Sequence, residues 1–108
     1  MRLKDETVSI KGFVPEIIFA LIIVDQVMKE QGQEAVITSG SEETTRHGEK
    51  SLHYDGRAVD LRSRSFERPE DILGFCKIAL GNNPDIDIIY EGNHFHMEWQ
   101  PKRRDNLL

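Results

Sequence analysis

A chain with one cysteine, Cys76, cannot hold an intramolecular disulfide, so its stability must come from packing. Cys76 itself falls in the pattern Ile72, Phe75, Cys76, Ala79, Leu80, the apolar side of a helix. A free cysteine there packs as a small hydrophobe, and a core position is expected. Long apolar runs are also missing. The longest, Ile17 to Val24, has eight residues, against the ~20 that a membrane span needs. Membrane insertion is therefore not expected. Basic charge is in short supply: 14 Lys and Arg face 19 Asp and Glu, for a formal net charge of -5. The basic cluster Lys102-Arg103-Arg104 sits in the C-terminal tail, so the basic stripe of a nucleic-acid binder is absent. No repeat, linker or low-complexity segment divides the 108 residues, and residues 1–108 read as one domain, expected to be a monomer. No signal peptide is visible: Met1-Arg2-Leu3-Lys4-Asp5-Glu6 runs directly into acidic residues.

What is present reads as alternating elements. Thr7-Val8-Ser9-Ile10 alternates like an extended arm or an edge strand. Pro15 and Glu16 suit a helix start, and the helix should run to about Glu30, with Gly32 just beyond. Its first half is apolar nearly all round, which predicts a central helix. Ala35-Val36-Ile37-Thr38 reads as a buried strand and Ala58-Val59-Asp60-Leu61 as another. Between them lies a polar loop, residues 39–52, of a length that usually signals function or disorder. Pro69-Glu70-Asp71 opens a second helix ending near Gly81. Ile86 to Tyr90 and His94 to Trp99 form a hairpin around Glu91-Gly92-Asn93. The fold class implied is α+β: a small antiparallel-rich sheet with two main helices on one face.

All four histidines lie between residues 47 and 96. His53 and Asp60 are seven residues apart, and Gly56 between them lets the chain turn. Asp60 is on a strand, where its side chain points rigidly to one face, and Ala58 on the same face is small. In the last strand, alternation puts His94, His96 and Glu98 on one face and Phe95, Met97 and Trp99 on the other. Imidazole nitrogens and a carboxylate oxygen are what zinc takes, usually with three protein ligands and one open position in a catalytic site. A solvated strand face would satisfy the same alternation, so the fragments gain weight only in combination. Glu98 reads either as a surface charge or as a carboxylate that orients a ligand histidine. Arg62 and Arg64 read as surface residues.

The pattern His53, Gly56, Ala58, Asp60, followed by His94-Phe95-His96, resembles the DD-peptidase/Hedgehog superfamily of zinc peptidases, which includes D-alanyl-D-alanine carboxypeptidases and phage L-alanyl-D-glutamate endopeptidases. Ser51-Leu52-His53-Tyr54-Asp55-Gly56-Arg57-Ala58-Val59-Asp60 looks especially like the Hedgehog signalling domain, differing at Asp55, where glutamate is expected. The resemblance covers roughly residues 34–99. It implies Zn2+ bound by His53, Asp60 and His96. His94 matches a second histidine beside the metal, His47 an active-site histidine of the Hedgehog type, and Glu91 the general base of the peptidases. The arginine common after the Ser-Gly of the preceding strand is missing, because Ser41-Glu42 follows Ser39-Gly40; Arg46 or His47 is expected to take its place in binding substrate. The spacing from Glu91, five residues to His96 and three to His94, leaves His94 open as the third ligand.

The function implied by this resemblance is zinc-dependent hydrolysis of peptide bonds in peptidoglycan peptides, as a carboxypeptidase or an endopeptidase. Glu91, His47 and His94 are the expected catalytic residues. The alternative is a non-catalytic, zinc-stabilised Hedgehog-like binding module. The absence of a signal peptide suits a phage-type enzyme made in the cytoplasm that reaches the cell wall by another route.

Overall fold

A computed structural model describes residues 1–44, 47–48 and 51–101. Arg46, the expected substrate-binding residue, and the basic tail lie outside the described residues. In chain order the elements are β1 (Arg2–Leu3), α1 (Pro15–Glu30), β2 (Val36–Ser39), β3 (Ala58–Arg62), α2 (Pro69–Ala79), β4 (Ile86–Tyr90) and β5 (His94–Trp99). The strands form one sheet in the order β1-β2-β3-β5-β4. Only the short β1 pairs parallel to its neighbour; the other pairings are antiparallel. The fold is α+β, as the pattern of elements predicts.

Both helices begin on proline at the first turn, where a missing N–H costs nothing, with Glu16 and Glu70-Asp71 at their positive ends. Both end ahead of a glycine at positive φ, Gly32 at 71° and Gly81 at 71°. One sheet face carries Ile37, Val59, Leu61, Ile88, Phe95 and Met97 into a core shared with Ile17, Ala20, Leu21, Val24 and Met28 of α1 and with Ile72 and Cys76 of α2. Cys76 is fully buried, and burial pushes its thiol up to about 11. The opposite sheet face holds Ala58, Asp60, His96 and Glu98, and among the described residues no helix covers it. That division makes the polar face the one available for chemistry.

Two expectations are corrected. Helix α1 is not central: Phe19 is 66% exposed and Ile22 56%, and Ile18 and Ile23 are exposed with them. The helix forms the outer layer over a single sheet face, and the described chain supplies no third layer to cover its far side. Of the two readings of residues 7–10, extended arm or edge strand, the edge strand does not form; the N-terminal pairing is made by Arg2–Leu3. Asp5 turns the chain instead, accepting from the Thr7 N–H at 2.9 Å through its side chain and from the Val8 N–H at 3.3 Å through its carbonyl. Val8 drops into the core while Ser9 reaches the loop after β2.

Candidate metal centre

Strand register brings the first two groups together. Asp60 on β3 is the cross-strand partner of His96 on β5, with Ala58 opposite Glu98 and Arg62 opposite His94. Directly opposed residues on one face have touching side chains. His96 Nδ1 lies 2.8 Å from Asp60 Oδ1, and His96 Nε2 lies 2.9 Å from Glu98 Oε1. The imidazole therefore donates from both nitrogens to carboxylates. Its pKa is pushed up to about 9: the Asp60 hydrogen bond dominates, burial opposes it, and Glu98 adds to the rise. Asp60 is held far below the usual carboxylate range. Burial works to raise it, but the adjacent His53 and His96 rings outweigh burial.

His53 comes from a turn rather than a strand. The segment 51–57 closes through the Asp55 N–H to Leu52 O, the Gly56 N–H to His53 O and the Arg57 N–H to Leu52 O. Gly56 ends the turn at φ +70°, and a Cβ there would run into the Gly12 carbonyl oxygen, so the position requires glycine twice over. His53 Nδ1 donates to the Gly40 carbonyl at 2.9 Å. That bond fixes the ring orientation and sets Nε2 3.6 Å from Asp60 Oδ1.

His53, Asp60 and His96 each offer one donor atom, all within 4.8 Å of one another. This group could hold a metal ion. Tetrahedral bonds of about 2.1 Å put donor atoms about 3.4 Å apart, so the 3.6 Å edge already fits. The 2.8 Å edge is a hydrogen bond and would have to open, with loss of the His96 proton, for an ion to enter. Glu98 then keeps the Nε2 proton and orients the ring, as carboxylates behind ligand histidines do. The structure thus favours the orienting role for Glu98 over that of a plain surface charge.

His94 is not part of this group. Its Nε2 lies 3.4 Å from Glu91 Oε1, and its Nδ1 lies 2.6 Å from Asn93 Oδ1. Glu91 Oε1 is 3.9 Å from His96 Nδ1. His47 stacks on His53 with ring centroids 4.1 Å apart and an interplanar angle of 6°. Its Nε2 lies 3.2 Å from Ser39 Oγ and 3.4 Å from Glu42 Oε2. Burial and the neighbouring His53 hold its pKa below the ordinary histidine value, against the pull of Glu42. Tyr54 ties the same loop down by donating from its hydroxyl to Thr44 O at 2.7 Å.

The sequence reading missed Glu42. Its carboxylate accepts from the Ser9 N–H at 3.0 Å, the Gly40 N–H at 2.8 Å and the Ser39 hydroxyl at 2.6 Å. Burial works to raise the Glu42 pKa, but these bonds win and the carboxyl lies below its ordinary value. Glu42 thereby fixes Gly40, whose carbonyl aims His53. The Ser39-x-x-Glu42 spacing is the available signal: it is the spacing of a helix capping box, here closing a loop through the Ser39 hydroxyl and the Gly40 N–H.

A cavity of about 300 Å³ opens beside this group, lined by Lys4, Thr38, Ser39, His47, Asp60, Arg62, Arg64, Asn93 and His94. Compared with models of known protein families and with curated proteins, the chain matches none.

Proposed function

We propose that the protein is a zinc-dependent peptidase that cleaves peptide bonds in peptidoglycan peptides. The observation that carries this reading is the convergence of His53, Asp60 and His96, with the Glu91 carboxylate 3.9 Å from His96 Nδ1. Two imidazoles and a carboxylate suit zinc better than calcium or magnesium, which take oxygen donors almost alone.

When bound, zinc supplies a Lewis acid that polarises the scissile carbonyl and lowers the pKa of a water to about 7. The remaining roles belong to the chain. Glu91 takes the proton of the attacking water and delivers it to the leaving amine as the C–N bond breaks. His94, at the cavity wall beside Glu91, donates to the developing oxyanion. His47 is the second candidate for that task, and must first release Glu42 to donate. Glu98 and the Gly40 carbonyl keep His96 and His53 in their tautomers, so no reorientation is needed during turnover.

Glu91→Gln tests the assignment. The amide is nearly isosteric but cannot accept the water proton, so metal and fold should stay while hydrolysis falls about 10²–10⁴-fold. Release of new amino groups from purified peptidoglycan is the readout. Equal activity in the variant moves the base elsewhere, with Glu98 next in line. Wild-type protein that binds zinc but releases nothing leaves the binding-module reading in possession.

A further inference from the structure

We propose that the cavity beside Asp60 recognises a carboxylate on the ligand, through Lys4, Arg62 and Arg64. The starting point is a contrast of charge. The chain carries a net charge of -5, yet three of its cations line the one wall shared with the candidate metal centre. They come from separate places in the fold. Arg62 is the last residue of β3 and lies two positions after Asp60, hence on the same sheet face. Arg64 follows just beyond the strand. Lys4 is brought in by the N-terminal arm, where its N–H bonds to Ile37 O at 2.8 Å and extends the pairing of β1 with β2.

Long cationic side chains on an acidic protein usually find carboxylate partners. Among the described residues Lys4 makes a loose ion pair, 3.9 Å from Asp5 Oδ2. For Arg62 and Arg64 the described residues show no ion pair within 4.0 Å. Asp60, the acid that shares the cavity, already faces His53 and His96. Among the described residues the guanidinium forks are therefore open to a planar anion, and a carboxylate is the anion that fits bidentate donation on a peptide. Thr38, Ser39 and Asn93 add neutral polar groups to the same wall. Sequence alone hides this arrangement, since residue 4 and residues 62–64 meet only through sheet pairing.

The identity of the ligand as a peptide rests on the peptidase reading; the anion site does not. The cations lie to one side of Asp60, so a ligand carboxylate held by them sits near the scissile bond. It is either a free C-terminus, as in a carboxypeptidase substrate, or an acidic side chain, as in an endopeptidase substrate.

The test is calorimetry on zinc-loaded protein with three N-acetylated tripeptides, in L and D series. These are Ala-Ala-Ala with a free carboxylate, its C-terminal carboxamide twin, and Ala-Glu-Ala carboxamide. A carboxylate form is expected to bind about 10–100-fold tighter than Ala-Ala-Ala carboxamide, the range for charge-assisted hydrogen bonds. Rising salt should shrink that advantage. Which carboxylate gains tells the C-terminal source from the side-chain source. The Arg62→Gln/Arg64→Gln double variant, and independently Lys4→Gln, should bring the ratio towards one with zinc content unchanged, and Arg62→Lys should restore part of it. No carboxylate advantage in wild type, an advantage that survives all the variants, or no binding of any probe overturns the proposal. Charge preference without hydrolysis of any peptide sinks the peptidase reading and leaves the anion site standing. Hydrolysis without charge preference does the reverse.

Discussion

Replacing Glu42 by alanine should damage the metal centre without touching a ligand. The carboxylate is nearly buried, with 10% of its side chain exposed, and accepts from two backbone N–H groups and one hydroxyl. Alanine leaves the two backbone N–H groups without that acceptor, while the Ser39 hydroxyl keeps His47 Nε2 at 3.2 Å. At ~1 kcal/mol for each orphaned group that water can partly reach, the loss is about 2 kcal/mol, a large share of the ~5–15 kcal/mol that holds a domain folded. The same change frees Gly40, whose carbonyl orients His53 at 2.9 Å. Loss of such an orienting contact typically weakens metal affinity about 10–100-fold. Glutamine provides the control. Its carbonyl can keep the Ser9 and Gly40 bonds and its amide can donate to Ser39 Oγ, so most of the stability and affinity should remain. Urea unfolding and competition with a chromophoric chelator measure the two effects. An alanine variant that matches wild type in both would refute the chain of contacts from Glu42 through Gly40 to His53. Acid should act similarly: the lowered Glu42 pKa contributes stability present above its unfolded value near 4.5 and lost as pH falls through the folded one.

Zinc binding should release a proton from His96, whose pKa of about 9 means an imidazolium at neutral pH. Affinity is expected to climb with pH until about 9, and calorimetry in buffers of different ionisation enthalpy counts the proton; an affinity flat between pH 6 and 9 would speak against the arrangement. In the metal-free protein the sign is opposite: the raised His96 pKa gives stability complete below about 6.5 and lost as pH rises through about 9, which urea titrations with chelator present can follow. Glu98→Ala should lower zinc affinity about 10–100-fold with little change in fold, because His96 loses the partner at 2.9 Å that holds its ring; unchanged affinity would return Glu98 to a plain surface role.

The elements near the site are legible because local chemistry and burial agree there. The hairpin follows from a strict alternation in His94–Trp99 and a Gly-Asn turn, and the structure pairs Ile86–Tyr90 with it directly. Ligand chemistry marks His53, Asp60 and the His94/His96 pair in the sequence, and the family resemblance implies His96 as the third member; the structure brings His53, Asp60 and His96 together. Helix α1 misleads for a physical reason: an all-round apolar stretch signals full burial, but Phe19 and Ile22 have nothing over them in the described chain. Glu42 and the Lys4, Arg62, Arg64 wall are invisible for another. Glu42 is one acid in a polar loop until its neighbours Ser9 and Gly40 are brought together. The wall depends on β1 joining β2, a pairing of two residues that no periodicity can announce.

A zinc peptidase must show metal-dependent bond cleavage. The direct measurement is release of new amino groups from purified peptidoglycan by the wild-type protein, before chelation, after it, and after zinc is restored. The predicted result is release that disappears with the chelator and returns with one zinc per chain. Release that ignores the chelator, or none from walls of several chemotypes with zinc bound, would contradict it.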